Sequence, residues 1–291
     1  MILVYSVGMD LAAIPSPVEL IELPATQIAL AELVLLAVAG GLLGAFVVLR
    51  RLAFFSHAVG TATFPGLVVA DATGFSATVA GLCVAVGYAG GVERASHTGR
   101  APGDTATGLL LVAALAGGII LASDVFESGA AVDRLLFGTA IGLDGGDLAL
   151  SGVAALLAVA GTVLLGRAWT AGGFDSVSAP LLGVPARRAD LLLLLLVALS
   201  AVAALPAVGA LLVTSIFVVP AAVARLFTRD MRGLLLWSMA VAAAQGTLGL
   251  YLSIWLDVPP GPAVAVLGAG VYALCATGIG ARSRLPGEEA A

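Results

Sequence analysis

Long apolar stretches alternate with short polar segments along most of the chain. A helix of about 20 apolar residues is long enough to cross the hydrocarbon core of a bilayer. The pattern predicts nine such helices, at residues 28–49, 54–70, 74–92, 107–123, 148–166, 191–205, 208–224, 234–255 and 262–280. The sixth stretch is short and Pro206 follows it at once, so the sixth and seventh stretches form either a hairpin or one broken helix. We therefore expect about eight to ten membrane-spanning helices.

The composition indicates that most of the surface meets lipid. Hydrophobic residues make up 60% of the 291 residues and charged residues 11%, and the mean hydropathy is +1.12. A soluble domain carries roughly 25% charged residues. The sequence therefore predicts an all-α polytopic membrane protein with a single transmembrane domain, residues 28–280. An extracytoplasmic segment, residues 1–27, precedes this domain, and a cytoplasmic tail, residues 281–291, follows it.

The positive charges predict an orientation. The chain has thirteen arginines and no lysine, and twelve of the arginines fall on one side of the membrane when the nine spans are threaded in order. Short cytoplasmic loops collect arginine, so the N-terminus is expected outside and the C-terminus in the cytoplasm. Without lysine, the phosphate-binding loop G-x-x-x-x-G-K followed by Ser or Thr cannot occur. Any ATP that drives this protein is therefore hydrolysed by another chain.

The second predicted span contains the most unusual polar residues. His57 is ionisable, and an ionisable side chain in an apolar span is a candidate for function. Thr61 lies four residues on, so the two side chains share one face of a helix and both can approach a metal ion. A zinc site usually needs four ligands, which a second copy across a two-fold axis would complete. Imidazole nitrogen suits zinc better than manganese.

Simpler interpretations of the same residues remain open. His57 could hydrogen-bond to a neighbouring helix, and the Thr61 hydroxyl could bond back to its own helix. Pro65 and Gly66, which we place on the candidate pathway, predict a kink or the end of the span. Elsewhere, Glu32 is expected to reach the lipid headgroups.

Two more polar residues have simpler expected roles. Gln245 lies near the middle of its span, so we expect it to hydrogen-bond to another helix. His97 lies in an arginine-rich loop and is expected to be a solvated surface residue.

The segment 167–190 is too long for a simple turn, and it lies on the arginine-rich side. It mixes glycine and proline with the apolar residues Phe174, Leu181 and Leu182. A flexible linker would not need these side chains, so the segment is predicted to form short helices that face a soluble partner. The alternative is a loop that merely lies against the membrane.

Five segments carry a family resemblance. They are Val48-Leu-Arg-Arg-Leu-Ala-Phe-Phe with the later Phe64-Pro-Gly, Arg134-Leu-Leu-Phe-Gly, Phe174-Asp-Ser-Val-Ser-Ala-Pro-Leu-Leu-Gly-Val-Pro, the run from Val208 to Arg225, and Asp257-Val-Pro-Pro-Gly-Pro. In this order they resemble the permease subunits of bacterial ABC importers for zinc, manganese or iron, the ABC-3 permease family. The resemblance covers about residues 28–280.

The resemblance implies partners and a location. It implies a homodimer of permeases in the bacterial cytoplasmic membrane, two cytoplasmic ATPase subunits, and an extracytoplasmic solute-binding protein that delivers the ion. It implies no catalysis in this chain and no permanently bound cofactor; the divalent metal is cargo. The surface that couples the permease to the ATPase would then lie on the cytoplasmic loop, at Phe174, Asp175, Ala179 and Gly183.

The chain departs from the family pattern at the expected metal gate. Family members carry Asp, and His four residues later, before a Leu-Pro-Gly; the corresponding positions here are His57 and Thr61. Either an altered cage binds the ion, or this turn no longer binds metal directly. We favour the altered cage, with His57 and Thr61 as metal ligands and zinc as the cargo. Manganese and iron are the alternatives.

Other classes of function are weaker. A permease for an iron-siderophore or cobalamin-type complex would need a wide pathway without metal ligands. A secondary transporter would have inverted repeats and carboxylates near the bilayer midplane, and the sequence has no clear example of either. A membrane-embedded metalloprotease would need an H-E-x-x-H motif, which is absent.

Overall fold

The computed structural model describes residues 24–98, 103–125, 142–174, 186–210 and 212–282. All regular structure in these ranges is helical. The α-helices are α1 Pro24–Leu49, α2 Ala53–Ala62, α3 Phe64–Thr73, α4 Ala77–His97, α5 Gly103–Ile120, α6 Gly145–Phe174, α7 Ala186–Val208, α8 Val213–Phe227, α9 Met231–Leu256 and α10 Pro260–Arg282. A short π-helical turn, Leu121–Val125, continues α5.

The helices match the predicted spans, and the all-α polytopic fold is confirmed. Within the described residues, seven helical segments are long and apolar enough to cross a membrane, counting α2 and α3 as one segment, Ala53–Thr73. The remaining two predicted spans, 74–92 and 208–224, coincide with α4 and with the shorter apolar helix α8.

Helix α1 is the centre of the bundle and packs against α6, α7, α8 and α9. Two glycines allow α1 to approach α8 closely. A Cβ on Gly44 would collide with the carbonyl oxygen of Phe217 in α8, and a Cβ on Gly40 would lie 2.6 Å from the Ile216 side chain. Small residues bring membrane helices together in this way. Because α1 is covered on several sides, its residues Thr26 and Glu32 are buried inside the protein, whereas Gln27 in its first turn is exposed.

Helix α6 is longer than the sequence predicted. The predicted span was 148–166, with residues 167–190 in a loop, but the helix runs over 30 residues to Phe174. Trp169 stabilises the extra turns: it is fully buried, packs edge-on against Phe46 of α1 with ring centroids 5.0 Å apart, and donates from Nε1 to the Ala189 carbonyl at 2.7 Å. Residues 167–174 and 186–190 are thus helical, and the short helices predicted between them lie outside the described residues.

The break between α7 and α8 is also displaced from its predicted position. The sequence suggested an end at Pro206, but α7 continues through this residue to Val208. Gly209 ends the helix with a φ of +84°, a left-handed conformation that favours glycine. Helices α7 and α8 contact each other little, so they do not form a side-by-side hairpin.

Most of the predicted arginine-rich loops meet at one end of the bundle, which we call the arginine-rich end. Arg50 lies 2.6 Å from Asp190 at the start of α7, and Arg187 lies 2.7 Å from Glu93 at the end of α4. At the same end, Arg225 and Arg229 line a cavity together with Phe174, the last residue of α6. The fold therefore gathers loops that are far apart in the sequence.

Candidate functional site

The second predicted span is two short helices separated by a single residue. Thr63 separates α2 from α3, and its hydroxyl donates to the Gly60 carbonyl at 2.6 Å. The interruption precedes Pro65, which lies in the first turn of α3, where a missing N–H is tolerated. Gly66 lets α3 approach α4, because a Cβ there would lie 2.7 Å from the Ala80 carbonyl oxygen.

His57 and Thr61 lie on one face of α2, at the spacing the sequence indicated. Phe54 begins this face and is 41% exposed, His57 is half-buried, and Thr61 is 8% exposed. Pro65 and Val69 extend the same line of residues onto α3. We call these five residues the open stripe.

The rest of α2 is enclosed. Phe55, Ala58, Val59 and Ala62 are all buried, and helices α4, α5, α7 and α8 pack around α2. The open stripe is therefore the side of α2 that the chain itself covers least.

The two candidate ligands differ in how the helix holds them. The Thr61 hydroxyl donates to the His57 carbonyl at 3.4 Å, a long bond from a side chain to its own helix. The His57 imidazole has no hydrogen-bond partner among the described residues. The imidazole is therefore available on the half-buried side of α2, whereas the Thr61 hydroxyl, one turn on, is enclosed and bonded to its own helix.

This chain does not assemble a larger metal cluster within its described residues. No group of three or more His, Cys, Asp and Glu side chains is placed there to hold a metal ion. His57 and Thr61 alone provide two donors, fewer than the four of a stable zinc site.

Two backbone interruptions meet beside this turn. A Cβ on Gly60 would lie 3.0 Å from the carbonyl oxygen of Ala210, which belongs to the break between α7 and α8. Non-helical backbone at membrane depth is tolerated where protein or a water-filled cavity covers it. The broken span α2–α3 therefore lies against a second broken segment, and the Ala210 carbonyl oxygen faces Gly60, the residue before Thr61.

The prediction for Glu32 was wrong. This residue does not reach the headgroups: it is fully buried between α1 and α6, and it accepts a hydrogen bond from Ser151 at 2.5 Å. Its second oxygen, Oε2, has no hydrogen-bond partner among the described residues. Hydropathy indicates how deep a residue lies along a helix but does not show which side faces a neighbour, and α1 has neighbours on several sides.

Gln245 plays the role that the sequence predicted. Its Nε2 donates to the carbonyl oxygens of Ser215 at 3.2 Å and Val264 at 3.1 Å, which joins α9 to α8 and α10. It therefore contributes to helix packing.

The arginine-rich end holds a polar cavity of about 350 Å³ between α4, α5, α7 and the turn after α1. Glu93 and His97 both line it, with His97 Nε2 3.7 Å from the Glu93 carboxylate. His97 is exposed, as predicted. The hydrogen bond from Arg187 lowers the pKa of Glu93, which lies just beyond the predicted span 74–92, although burial acts in the opposite direction. The sequence did not reveal this pair, because its partners are 94 positions apart.

Only one of the four residues predicted to contact a soluble partner lies in the part of the chain that the structure describes. Phe174 ends α6 with 79% of its surface exposed. The other three predicted residues, Asp175, Ala179 and Gly183, lie outside the described residues.

Comparison with known proteins decides the family. The ABC 3 transport family matches residues 22–277, which is most of the chain. The chain belongs to this family. Membership agrees with the helical fold and with the absence of lysine, so the chain is a transport permease, and a separate partner hydrolyses the ATP.

Curated relatives of the family align over most of their length. The chain is 30% identical over 248 residues to the manganese transport system membrane protein MntC of Halalkalibacterium halodurans, covering 85% of each chain. It is 25% identical to the manganese import system permease protein ScaB of Streptococcus gordonii, covering 84% of this chain and 88% of that protein. These names give no support to the predicted zinc specificity.

A solved structure shows the same fold. It is titled PsaBC from Streptococcus pneumoniae in complex with Fab, and it matches 88% of this chain and 92% of its own with a TM-score of 0.77 at 23% identity. At this identity the likeness concerns the fold alone.

Proposed function

We propose that the chain is the permease of an ATP-driven importer for a divalent transition-metal ion, with Mn²⁺ as the cargo. The observation that carries this proposal is the 30% identity to a manganese transport protein over 85% of both chains, together with the family match. The aligned residues make up most of both chains, so the identity supports a common function for the protein as a whole.

Zn²⁺ is the second candidate, because a residue of this chain favours it. His57 offers an imidazole nitrogen on the open stripe, and nitrogen ligands suit zinc better than manganese. Manganese prefers carboxylate and carbonyl oxygen, and the carbonyl oxygen of Ala210, at the break after α7, lies beside Gly60 on this turn of α2. Both ions are consistent with a weak transit site that binds cargo and releases it.

We further propose that a second copy of the chain completes the site. The open stripe carries His57, which is half-buried, on a side of α2 that this chain leaves partly uncovered, and Thr61, one turn on, is 8% exposed. Two copies related by a two-fold axis would bring two imidazoles and two hydroxyls together, which matches the usual number of ligands of a zinc ion. The interruption at Thr63 would allow α3 to move relative to α2 as the pathway opens.

The remaining partners follow from an ABC importer. We propose two cytoplasmic ATPase subunits, which contact the permease near Phe174 and the start of α7, and an extracytoplasmic protein that delivers the ion. The arginine-rich end is proposed to face the cytoplasm, because short cytoplasmic loops collect arginine. The pathway would run from the opposite end of the bundle along the open stripe.

The test is uptake by the complete transporter in vesicles. The permease, its ATPase and its binding protein are reconstituted together, and entry of Mn²⁺, Zn²⁺ and an intact iron-siderophore complex is measured with and without ATP. We expect ATP-dependent entry of Mn²⁺, and Zn²⁺ to compete if the imidazole is a ligand. Entry of the siderophore complex without entry of either free ion would contradict the proposal, and so would uptake by the permease without its ATPase.

A further inference from the structure

Two ion pairs of opposite polarity connect the first turns of α7 to the rest of the arginine-rich end. Asp190 lies 2.6 Å from Arg50, in the turn between α1 and α2. One helical turn earlier, Arg187 donates from Nε to the Glu93 carboxylate at 2.7 Å, near the end of α4. We call these two contacts the α7 pairs.

Each pair joins an enclosed charge to a more exposed one. The side chains of Arg50 and Glu93 are 11% and 7% exposed, whereas those of Asp190 and Arg187 are 30% and 64% exposed. An enclosed charge that loses its partner is costly, because little water can replace the partner. The α7 pairs therefore resist separation while the protein moves.

The turn that carries Arg50 is continuous with α2. The Arg50 N–H donates to the Phe46 carbonyl, the Leu52 N–H to the Val47 carbonyl, and the Ser56 N–H to the Leu52 carbonyl, at 2.9, 2.8 and 3.0 Å. A displacement of Arg50 is therefore transmitted through hydrogen-bonded backbone to the helix that carries His57.

We propose that the α7 pairs transmit movement from the ATPase contact to the helices of the pathway. The start of α7 belongs to the segment 167–190 that we predict to face the ATPase, and it is paired with α4 and with the turn before α2. When ATP binding shifts α7, the pairs move α2 and α4 with it. This inference rests on the proposed function.

The transport test uses neutral double variants, which remove an ion pair without leaving one enclosed charge alone. They are Glu93→Gln with Arg187→Gln, and Arg50→Gln with Asp190→Asn. Metal ions imported per ATP hydrolysed are measured in vesicles containing the complete transporter. We expect this ratio to fall about fivefold or more, as coupling energies of this kind imply.

Two controls separate coupling from stability. Arg232→Gln changes an exposed arginine on α9, outside the segment 167–190, that has no ion pair among the described residues, and it should leave the ratio unchanged. Arg187→Lys keeps the charge and should retain most of the coupling. For each variant, uptake and ATP hydrolysis are divided by the amount of ATPase subunit that copurifies with the permease. A wild-type ratio in both double variants would overturn the proposal.

A distance measurement tests whether α4 and α7 move together, and it needs no metal ion. A negative result here would therefore count against the α7 pairs and not against the proposed transport function. Spin labels are attached at Val86→Cys on α4 and Leu192→Cys on α7, both exposed positions, after Cys83 and Cys275 are replaced by serine. In the complex of permease and ATPase, the distance between the two labels should stay constant when ATP binds. In the double variant Glu93→Gln with Arg187→Gln, the same distance should change when ATP binds. An ATP-dependent change that is equally large with the pair intact would show that α4 and α7 are not linked.

Discussion

Glu32 and His57 are both ionisable residues in apolar helices, yet the fold treats them in opposite ways. Glu32 is fully enclosed between α1 and α6 and bonded to Ser151. His57 is half-buried on a side of α2 that the chain leaves partly open, and its ring has no hydrogen-bond partner among the described residues. An intramembrane ionisable residue is a functional candidate by default, and the comparison shows that its surroundings decide whether it is available to a ligand.

The difference between the two sites predicts opposite responses to mutation. Changes at the enclosed site should alter stability more than transport, because Glu32 connects two helices of the core. Changes at the open stripe should alter transport more than stability, because His57 forms no contact of that kind within the chain.

The largest effect is expected for His57→Ala. If His57 binds the ion, as we propose, its loss should lower ATP-dependent metal uptake by about 100-fold or more, the upper end of the loss caused by removing groups that merely support a ligand. The melting temperature of the purified permease should change little. The measurements are uptake in vesicles and thermal unfolding in detergent.

The matched control is His97→Ala, which removes the other histidine of the chain. It lies at the exposed end of α4 and should leave uptake near the wild-type rate. If His57→Ala and His97→Ala transport equally well, the open stripe does not bind the ion through its imidazole.

Glu32→Ala should cause the next largest change, in stability. It leaves the Ser151 hydroxyl without its partner and opens a cavity in the core, so the free energy of unfolding should fall by about 2–3 kcal/mol. Glu32→Gln keeps an acceptor for Ser151 at almost the same volume. It should therefore lower the free energy of unfolding much less than Glu32→Ala, and the variant should still transport metal. Reversible unfolding in micelles measures both variants. Equal stability of the two variants would mean that the contact with Ser151 contributes little, and loss of transport in a stable Glu32→Gln variant would assign Glu32 to the pathway.

Thr61→Val should have an intermediate effect on transport. If the hydroxyl is the second ligand on the open stripe, apparent metal affinity should fall by about tenfold, within the range that lost metal-site groups produce. Thr61→Ser retains the hydroxyl and is the control. If Thr61→Val leaves the metal affinity unchanged, the Thr61 hydroxyl does not bind the ion and only donates its hydrogen bond to the His57 carbonyl.

The smallest effect is expected for Ser151→Ala. It removes one hydrogen bond to Glu32 and leaves the carboxyl in place, which should cost about 1 kcal/mol of stability. Combined with Glu32→Gln, the two changes should be clearly non-additive, because the residues are in direct contact. Additive effects in the unfolding measurement would mean that the contact contributes little.

The sequence located the helices well because the hydropathy of a segment depends only on the residues within that segment. Every predicted span coincides with a helix or a broken pair of helices. The helix ends were harder to place: nothing local to Trp169 shows that it will pack on Phe46 and bond to Ala189, and these distant contacts extend α6 beyond its apolar stretch. Pro206 was an unreliable end for α7, because the helix continues through it to Val208.

The candidate site was predicted in part. The spacing of His57 and Thr61 placed them correctly on one face of α2, since helical periodicity is a local property. Which face stays open depends on the helices that pack around α2, and the enclosure of Glu32 depends on α6. In the site we propose, the metal ligands come from two copies of the chain, so the pattern of one chain could not decide which metal binds.

The length of α6 has a consequence for how force would reach the bilayer. At 1.5 Å per residue, its last ten residues, 165–174, extend about 15 Å past the exposed apolar residue Leu164. Over this length α6 stays packed on α1: Trp169 packs edge-on against Phe46, and a Cβ on Gly173 would lie 2.9 Å from the Leu49 side chain. In the orientation we propose, a push by the ATPase near Phe174 would therefore load α1 and α6 together and not one helix alone.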